Sequence, residues 1–251
     1  MRFTDRVLFA TGAGSGIAAA AARQFSAEGG RVAVADIDGE RAADMAASLD
    51  GAIGIHCDVS SEESVNRAVA ETRKRLGRID AVLNAAGHAD FGPIDDYSIE
   101  RWNRMIAVHA TGTFLVCKAA VPALRAQGGG SIVNVSSIAA HVGRMNLVAY
   151  TAAKGAILSM SRQLALELAG DRIRVNVVAP GVVRTGLTEA AYVERGGGDF
   201  DKGAAQVVAD TPQKRVAAPE EIAAPICFLL SDEASFCTGS VITPDGGMTA
   251  I

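Results

Sequence analysis

Aromatic residues are scarce in this chain: 5% of 251 residues, with one tryptophan and three tyrosines. Hydrophobic residues nevertheless make up 49% and charged ones 21%, enough for a sizeable buried core. Alanine, valine and isoleucine carry that core, which suits a parallel sheet buried by helices on both faces. There is no basic excess. The formal net charge of −4 argues against nucleic acid or an anionic membrane as the main partner. Cysteine is limited to Cys57, Cys117, Cys227 and Cys237, none at metal-ligand spacing and three in apolar segments. Reduced structural thiols in a cytoplasmic protein are expected. His56, His88, His109 and His141 form no ligand-spaced cluster either, so no metal is expected. The first residues hold no long apolar run, so no secretory signal is expected. No uninterrupted stretch is expected to span a membrane. Repeats and low-complexity tails are absent.

What is present is an alternation of strand-like and helix-like segments, the sign of an α/β doubly wound sheet. Strands are expected over 6–11, 31–35, 52–57, 80–84, 131–136, 174–178 and 240–243. Helices are expected from the first glycine turn to about Glu28, and over 63–76, 102–126, 150–168 and 220–230. The alternation never changes character, so the whole of 1–251 reads as one domain.

Between the first strand and the first helix lies Gly12-Ala-Gly14-Ser15-Gly16-Ile17-Ala18. A glycine-rich turn there lets backbone amides approach a pyrophosphate, and the helix N-terminus favours its negative charge. The second strand ends in Asp36, 20 residues past Gly16, where a ribose-binding carboxylate belongs. Asp36 or Asp38 also suits the N-cap of the next helix. A carboxylate accepts bonds from both ribose hydroxyls of NAD and repels the additional phosphate of NADP. No lysine or arginine lies in the glycine turn, and Ile37 follows Asp36, so NAD is preferred over NADP.

Tyr150 and Lys154 stand four residues apart, which places them on one helix face. A tyrosine normally keeps its proton to about pH 10. A neighbouring cation favours the phenolate, and a phenol tuned toward neutrality serves as a general acid or base. Ser137 ends an apolar strand-like run and is placed to donate to a substrate oxygen.

Together these motifs resemble the short-chain dehydrogenase/reductase family in its compact form, from about Phe3 to the C-terminus. Gly12 to Ile17 resembles the cofactor turn. Asp58-Val59 is similar to the adenine-contacting position. Asn84-Ala85-Ala-Gly87 resembles the stretch that supports the sheet and lines the cofactor ribose. Ser137, Tyr150 and Lys154 fall at the family's catalytic spacing. Pro180-Gly181-Val-Val183-Arg-Thr185 resembles the segment holding the nicotinamide carboxamide, and Pro244-Asp245-Gly246-Gly247 the closing strand. The resemblance implies a Rossmann-type parallel sheet of order 3-2-1-4-5-6-7, with ligands beyond the carboxyl ends of the strands. It implies interconversion of a secondary alcohol and a ketone, with Tyr150 as general acid/base. Lys154 would lower the tyrosine pKa and bond the nicotinamide ribose, while Asn84 and Thr185 position the cofactor.

The chain departs from the family pattern at two positions. Ala18 replaces the third glycine, a packing position where a methyl is tolerated. His109 stands where the family has the asparagine of its catalytic set. That asparagine shapes a helix irregularity and offers a backbone carbonyl to a water in the proton path. Histidine either fills the same space or alters the relay, because imidazole titrates near neutrality.

The helix over 150–168 carries an apolar stripe, including Ala156, Met160, Leu164 and Leu166, too wide for one buried side. A partner subunit is expected, and the family resemblance implies a homotetramer. Residues 88–94, 138–147 and 187–214 are the expected substrate walls. Gly196-Gly197-Gly198 is the hinge of a lid over about 186–214. Phe91, Val142, Met145, Leu147, Leu187 and Tyr192 suggest a partly apolar pocket, while Arg144 and Arg195 are candidates to meet an anionic group. An NADP-dependent oxoacyl-thioester or other ketone reductase, and a non-catalytic nucleotide sensor or scaffold, are the competing readings.

Overall fold

β-branched runs and alanine-rich runs alternate along the chain, and each becomes one element of a three-layer structure. The computed structural model describes residues 1–209 and 211–250; the side chains of Leu187, Ala190 and Ala191 lie outside the described set. The strands are β1 (Val7–Thr11), β2 (Arg31–Asp36), β3 (Ile53–His56), β4 (Ala81–Asn84), β5 (Gly130–Val135), β6 (Ile173–Val178) and β7 (Val241–Ile242). All pair in parallel, in the order β3-β2-β1-β4-β5-β6-β7, as the resemblance implied.

The helices are α1 (Gly16–Ala27), α2 (Gly39–Ala47), α3 (Glu62–Leu76), α4 (Ile99–Ile106), α5 (Gly112–Ala126), α6 (Val148–Leu168), α7 (Gly186–Arg195), α8 (Phe200–Val207) and α9 (Pro219–Leu230). In β1, Leu8 and Ala10 join the apolar cluster beneath α1, α2 and α9, while Val7 and Phe9 join the one beneath α3 and α5. Successive side chains of a strand point to opposite faces, so a continuous apolar run is what a sheet covered on both sides requires.

Three differences from the sequence expectation have physical causes. The helix expected over 102–126 begins earlier and is interrupted: a π-helical turn, Ala107–Thr111, joins α4 to α5. Together they run 28 residues, Ile99–Ala126, long and apolar enough by length and composition to cross a membrane. The expectation that no stretch reaches that length is therefore corrected. Here Val116, Cys117, Ala120 and Leu124 lie in the core, so the apolarity is accounted for by packing on the sheet. Finally, the segment expected as a lid contains two helices, α7 and α8. The three-glycine run is the turn between them; Asp210, within the same stretch, lies outside the described residues.

Candidate active site

The strand order reverses between β1 and β4, and the carboxyl ends of the two strands splay there into a crevice. A cavity of about 570 Å³ occupies it. Gly12, Ser15, Gly16 and Ile17 line one stretch, with Asp36 and Ile37 from β2 and Asp58 and Val59 from the segment after β3. Ala85, Gly87 and His109 line the middle. Ser137, Tyr150 and Lys154 meet there with Pro180, Gly181, Val183 and Thr185. Residues spread over more than 170 positions of sequence thus share one cleft.

Gly12 shows why its residue type is fixed. Its φ is +65°, and a Cβ would lie 2.7 Å from the Cα of Ala86. Asp36 is held at the rim: one carboxylate oxygen accepts from the Gly14 amide at 2.9 Å, the other from the Asp38 amide at 3.0 Å. Asp38, not Asp36, caps α2, accepting from the amides of Glu40 and Arg41. Gly14 supports Asp36 without lining the cavity.

Asn84 departs from its expected place at the cofactor ribose. Its side chain is buried in the sheet, where Nδ2 donates to Asn134 Oδ1 at 2.8 Å, and Asn134 in turn donates to Ser161 Oγ at 2.9 Å. This chain of amides ties β4, β5 and α6 together beneath the cleft.

Lys154 is buried on α6. Its ammonium donates to the Val135 carbonyl at 2.9 Å, and its own carbonyl accepts from Ser136 Oγ at 2.9 Å. Burial pushes the lysine down to about 7. The half-buried Tyr150 lies one turn away, with the Lys154 nitrogen 5.5 Å from its ring centroid. Burial pushes the phenol up, and the hydroxyl of Ser137 pulls the other way. Desolvation is the larger of these effects on the phenol. Ser137 is extended, and its Oγ accepts from the Ala139 amide at 3.1 Å, which fixes the hydroxyl at the end of β5.

His109 sits in the π-turn, 2% exposed. Burial, and then the charge of Lys154, push it down to about 2, which disfavours the alternative of an imidazole titrating near neutrality. Its carbonyl accepts from Thr113 Oγ1 at 2.7 Å.

Several lining residues escaped the sequence reading. Arg41, in the first turn of α2, is the one with chemical weight: a Cβ on Gly14 would meet both Arg41 Cβ and Asp36 Oδ2 at 3.0 Å. Its signal was a cation five residues past Asp36 and outside the glycine turn. Arg104 also lines the cleft, beside His88 and Thr188 from the expected substrate walls, and Thr188 Oγ1 donates to the Val183 carbonyl at 2.8 Å. Of the expected walls, 88–94 and 138–147 are joined by a bond from the Gly92 amide to the Asn146 carbonyl at 3.0 Å. Leu187 lies outside the described side chains. All four cysteines are free thiols; burial holds Cys57, Cys117 and Cys227 well above the usual thiol range. Among the described residues no group of acidic, histidine or cysteine side chains is arranged to hold a metal.

A family described as enoyl-(acyl carrier protein) reductase matches residues 12–249. The chain belongs to the short-chain dehydrogenase/reductase family. It is 39% identical to 2-(S)-hydroxypropyl-CoM dehydrogenase 3 of Xanthobacter autotrophicus, covering 100% of this chain and 99% of that one. It is also 39% identical to meso-2,3-butanediol dehydrogenase of Serratia marcescens, covering 100% and 97%. Among solved structures, levodione reductase superposes with a TM-score of 0.92 at 32% identity, covering 99% of each chain. As a short-chain dehydrogenase/reductase the chain is an oxidoreductase acting on CH–OH groups with a nicotinamide cofactor. The cleft suits such a group: Gly12, Ser15, Gly16 and Ile17 line it at the start of α1, and the Asp36 carboxylate lines it from the end of β2.

Proposed function

We propose that this enzyme oxidises a small secondary alcohol to the ketone with NAD, in a single domain whose segment 186–214 closes over the substrate. The convergence of Ser137, Tyr150 and Lys154 at the β1–β4 crevice carries this reading. The pyrophosphate would be held at Gly12–Ile17, the adenosine at Asp36, Ile37, Asp58 and Val59, and the nicotinamide end by Ala85, Gly87, Lys154, Pro180, Gly181, Val183 and Thr185. When bound, the nicotinamide supplies the hydride acceptor. Tyr150 takes the hydroxyl proton of the alcohol, and in reverse returns it to the ketone. Ser137 stabilises the charge that develops on the substrate oxygen. Lys154 places a cation beside the phenol and favours its ionised form. Exposed Phe91, Val142 and Met145 lie on the loops after β4 and β5, the expected substrate walls, and favour a partly apolar substrate. Buried free thiols suit a cytoplasmic setting, and the wide α6 stripe suits a homotetramer.

NADH formation with a panel of secondary alcohols, wild type beside Tyr150→Phe, tests the reading. The substitution should lower kcat by about 10²–10⁴-fold and leave NADH binding within a few-fold. Equal turnover by both proteins would remove Tyr150 from the chemistry. A second reading, an NADP-dependent ketone or oxoacyl-thioester reductase, is favoured by Arg41 at the cleft rim, where a guanidinium suits a ribose phosphate.

A further inference from the structure

His109, where the resemblance led us to expect asparagine, has unfinished hydrogen bonding. His109 Nε2 lies 3.1 Å from the His88 amide nitrogen and 2.9 Å from the His88 carbonyl oxygen. A neutral imidazole nitrogen is either a donor or an acceptor, so one tautomer serves one of those groups and leaves the other without it. Nδ1 has no partner at all and is shielded from solvent. A carboxamide in this place, with one donor and one acceptor, would serve both His88 groups. Histidine brings instead a ring. It packs edge-on against Tyr150, centroids 5.5 Å apart and planes at 81°. It also fills the space above Gly87, where a Cβ would lie 2.3 Å from its Cε1.

We propose that His109 is a positioning residue for proton transfer: its imidazole ties the His88 main chain, on the cleft wall, to the ring of Tyr150 and so sets the orientation of that phenol. Building on the dehydrogenase reading, the proposal adds a role that the expected asparagine, without a ring, would not fill. The anchor is the π-turn, which is braced by Thr113 Oγ1 on the His109 carbonyl. Either neutral tautomer leaves one buried N–H without an acceptor, Nδ1–H or the His88 amide, but an unprotonated Nε2 would turn its lone pair on the His88 carbonyl 2.9 Å away. The Nε2–H tautomer, donating to that carbonyl, is therefore the working form. The charged and titratable groups around this pair are Lys154 on α6, His88 after β4, Arg104 on α4, Ser137 after β5 and Tyr192 on α7. Lys154 opposes an imidazolium at His109, while Arg104 opposes and Asp90 favours one at His88.

The test compares wild type with His109→Phe, which keeps a ring and loses the nitrogen, and His109→Asn, which keeps the backbone bonds and loses the ring. Three quantities are read: kcat against KM, thermal midpoint, and ultraviolet titration of the Tyr150 phenol, taken as the difference from Tyr150→Phe in each background. His109→Asn should raise the midpoint, shift the phenol titration, and lower kcat about tenfold or more with KM for NAD little changed. His109→Phe should lower the midpoint, since it leaves the His88 carbonyl without its donor. Imidazole nitrogen NMR on wild type should show one neutral Nε2–H form across about pH 5 to 8. A wild-type phenol titration and kcat in His109→Asn would overturn the proposal, as would an imidazole that ionises in that range. If wild type turns over no alcohol, the dehydrogenase reading fails, while the phenol titration and the NMR still judge the role of His109.

Discussion

Asp36 and Arg41 flank Gly14 at one rim of the cleft and carry opposite charges. Asp36 is fixed by two backbone amides, whereas Arg41 reaches Asp38 across 3.1 Å in an exposed pair. Exposed pairs of this kind contribute little, about 0–1 kcal/mol, so Arg41 is cheaply redirected toward a phosphate while Asp36 is not cheaply moved. The fixed carboxylate should prevail in nucleotide choice. We expect wild type to bind NAD more tightly than NADP by at least about tenfold, a difference of roughly 1.4 kcal/mol. Asp36→Ala should narrow that gap, and Arg41→Ala added to it should restore the gap by removing the phosphate partner. Fluorescence titration of the three proteins with both nucleotides measures this. Tighter NADP binding by wild type would overturn the preference. The sequence displayed Asp36 because its distance from the glycine turn is fixed by one βαβ unit. It did not display Arg41, whose approach depends on how α2 leans on β2.

At the scale of the element, α6 carries both Tyr150 and a buried lysine, and the cost of burying that charge shows up in the pH dependence of stability. Folding lowers Lys154 from the ordinary lysine value of 10.5 to about 7. Between those values the unfolded chain binds a proton that the folded chain does not, so this group makes stability rise with pH across that window. Below about pH 7 both states are protonated and the full penalty is present. Lys154→Met, which keeps the stem, should therefore gain most over wild type below pH 7, and the gain should shrink as pH rises toward the ordinary lysine value. Urea melts of both proteins across this range test it, and a gap that stays constant would rule it out. Most elements were legible because strands and helices show different apolar periods. The π-turn at Ala107–Thr111 left no periodic signal within the helical run. Its only trace was His109 at the position of an expected irregularity.

At the scale of the whole molecule, α5 and α6 present apolar residues that the described chain leaves uncovered. Leu166 is 76% exposed and Phe114 48%, while Ala165 and Leu168, beside Leu166 in sequence, lie in the core. A single copy covers one side of α6, and the proposed tetramer covers the other. Sedimentation of wild type should give four chains, and Leu166→Glu should give a smaller species by placing a charge where an apolar contact is needed. A wild-type monomer at micromolar concentration would exclude the tetramer.

The sequence by itself determined the strand–helix alternation, the glycine turn with Asp36, and the spacing of Ser137, Tyr150 and Lys154. Those signals are local or lie within one βαβ unit, so chain connectivity fixes them. Tertiary structure decided what depends on contacts between distant segments. It turned Asn84 into the sheet through Asn134, brought Arg41 to the rim, and made α7 and α8 of an expected lid. Above all it gathered half-buried Tyr150 with buried Lys154 and His109 in one low-dielectric cleft. A proton's affinity for a side chain is set by the solvent and charges around it, and only the folded chain supplies those.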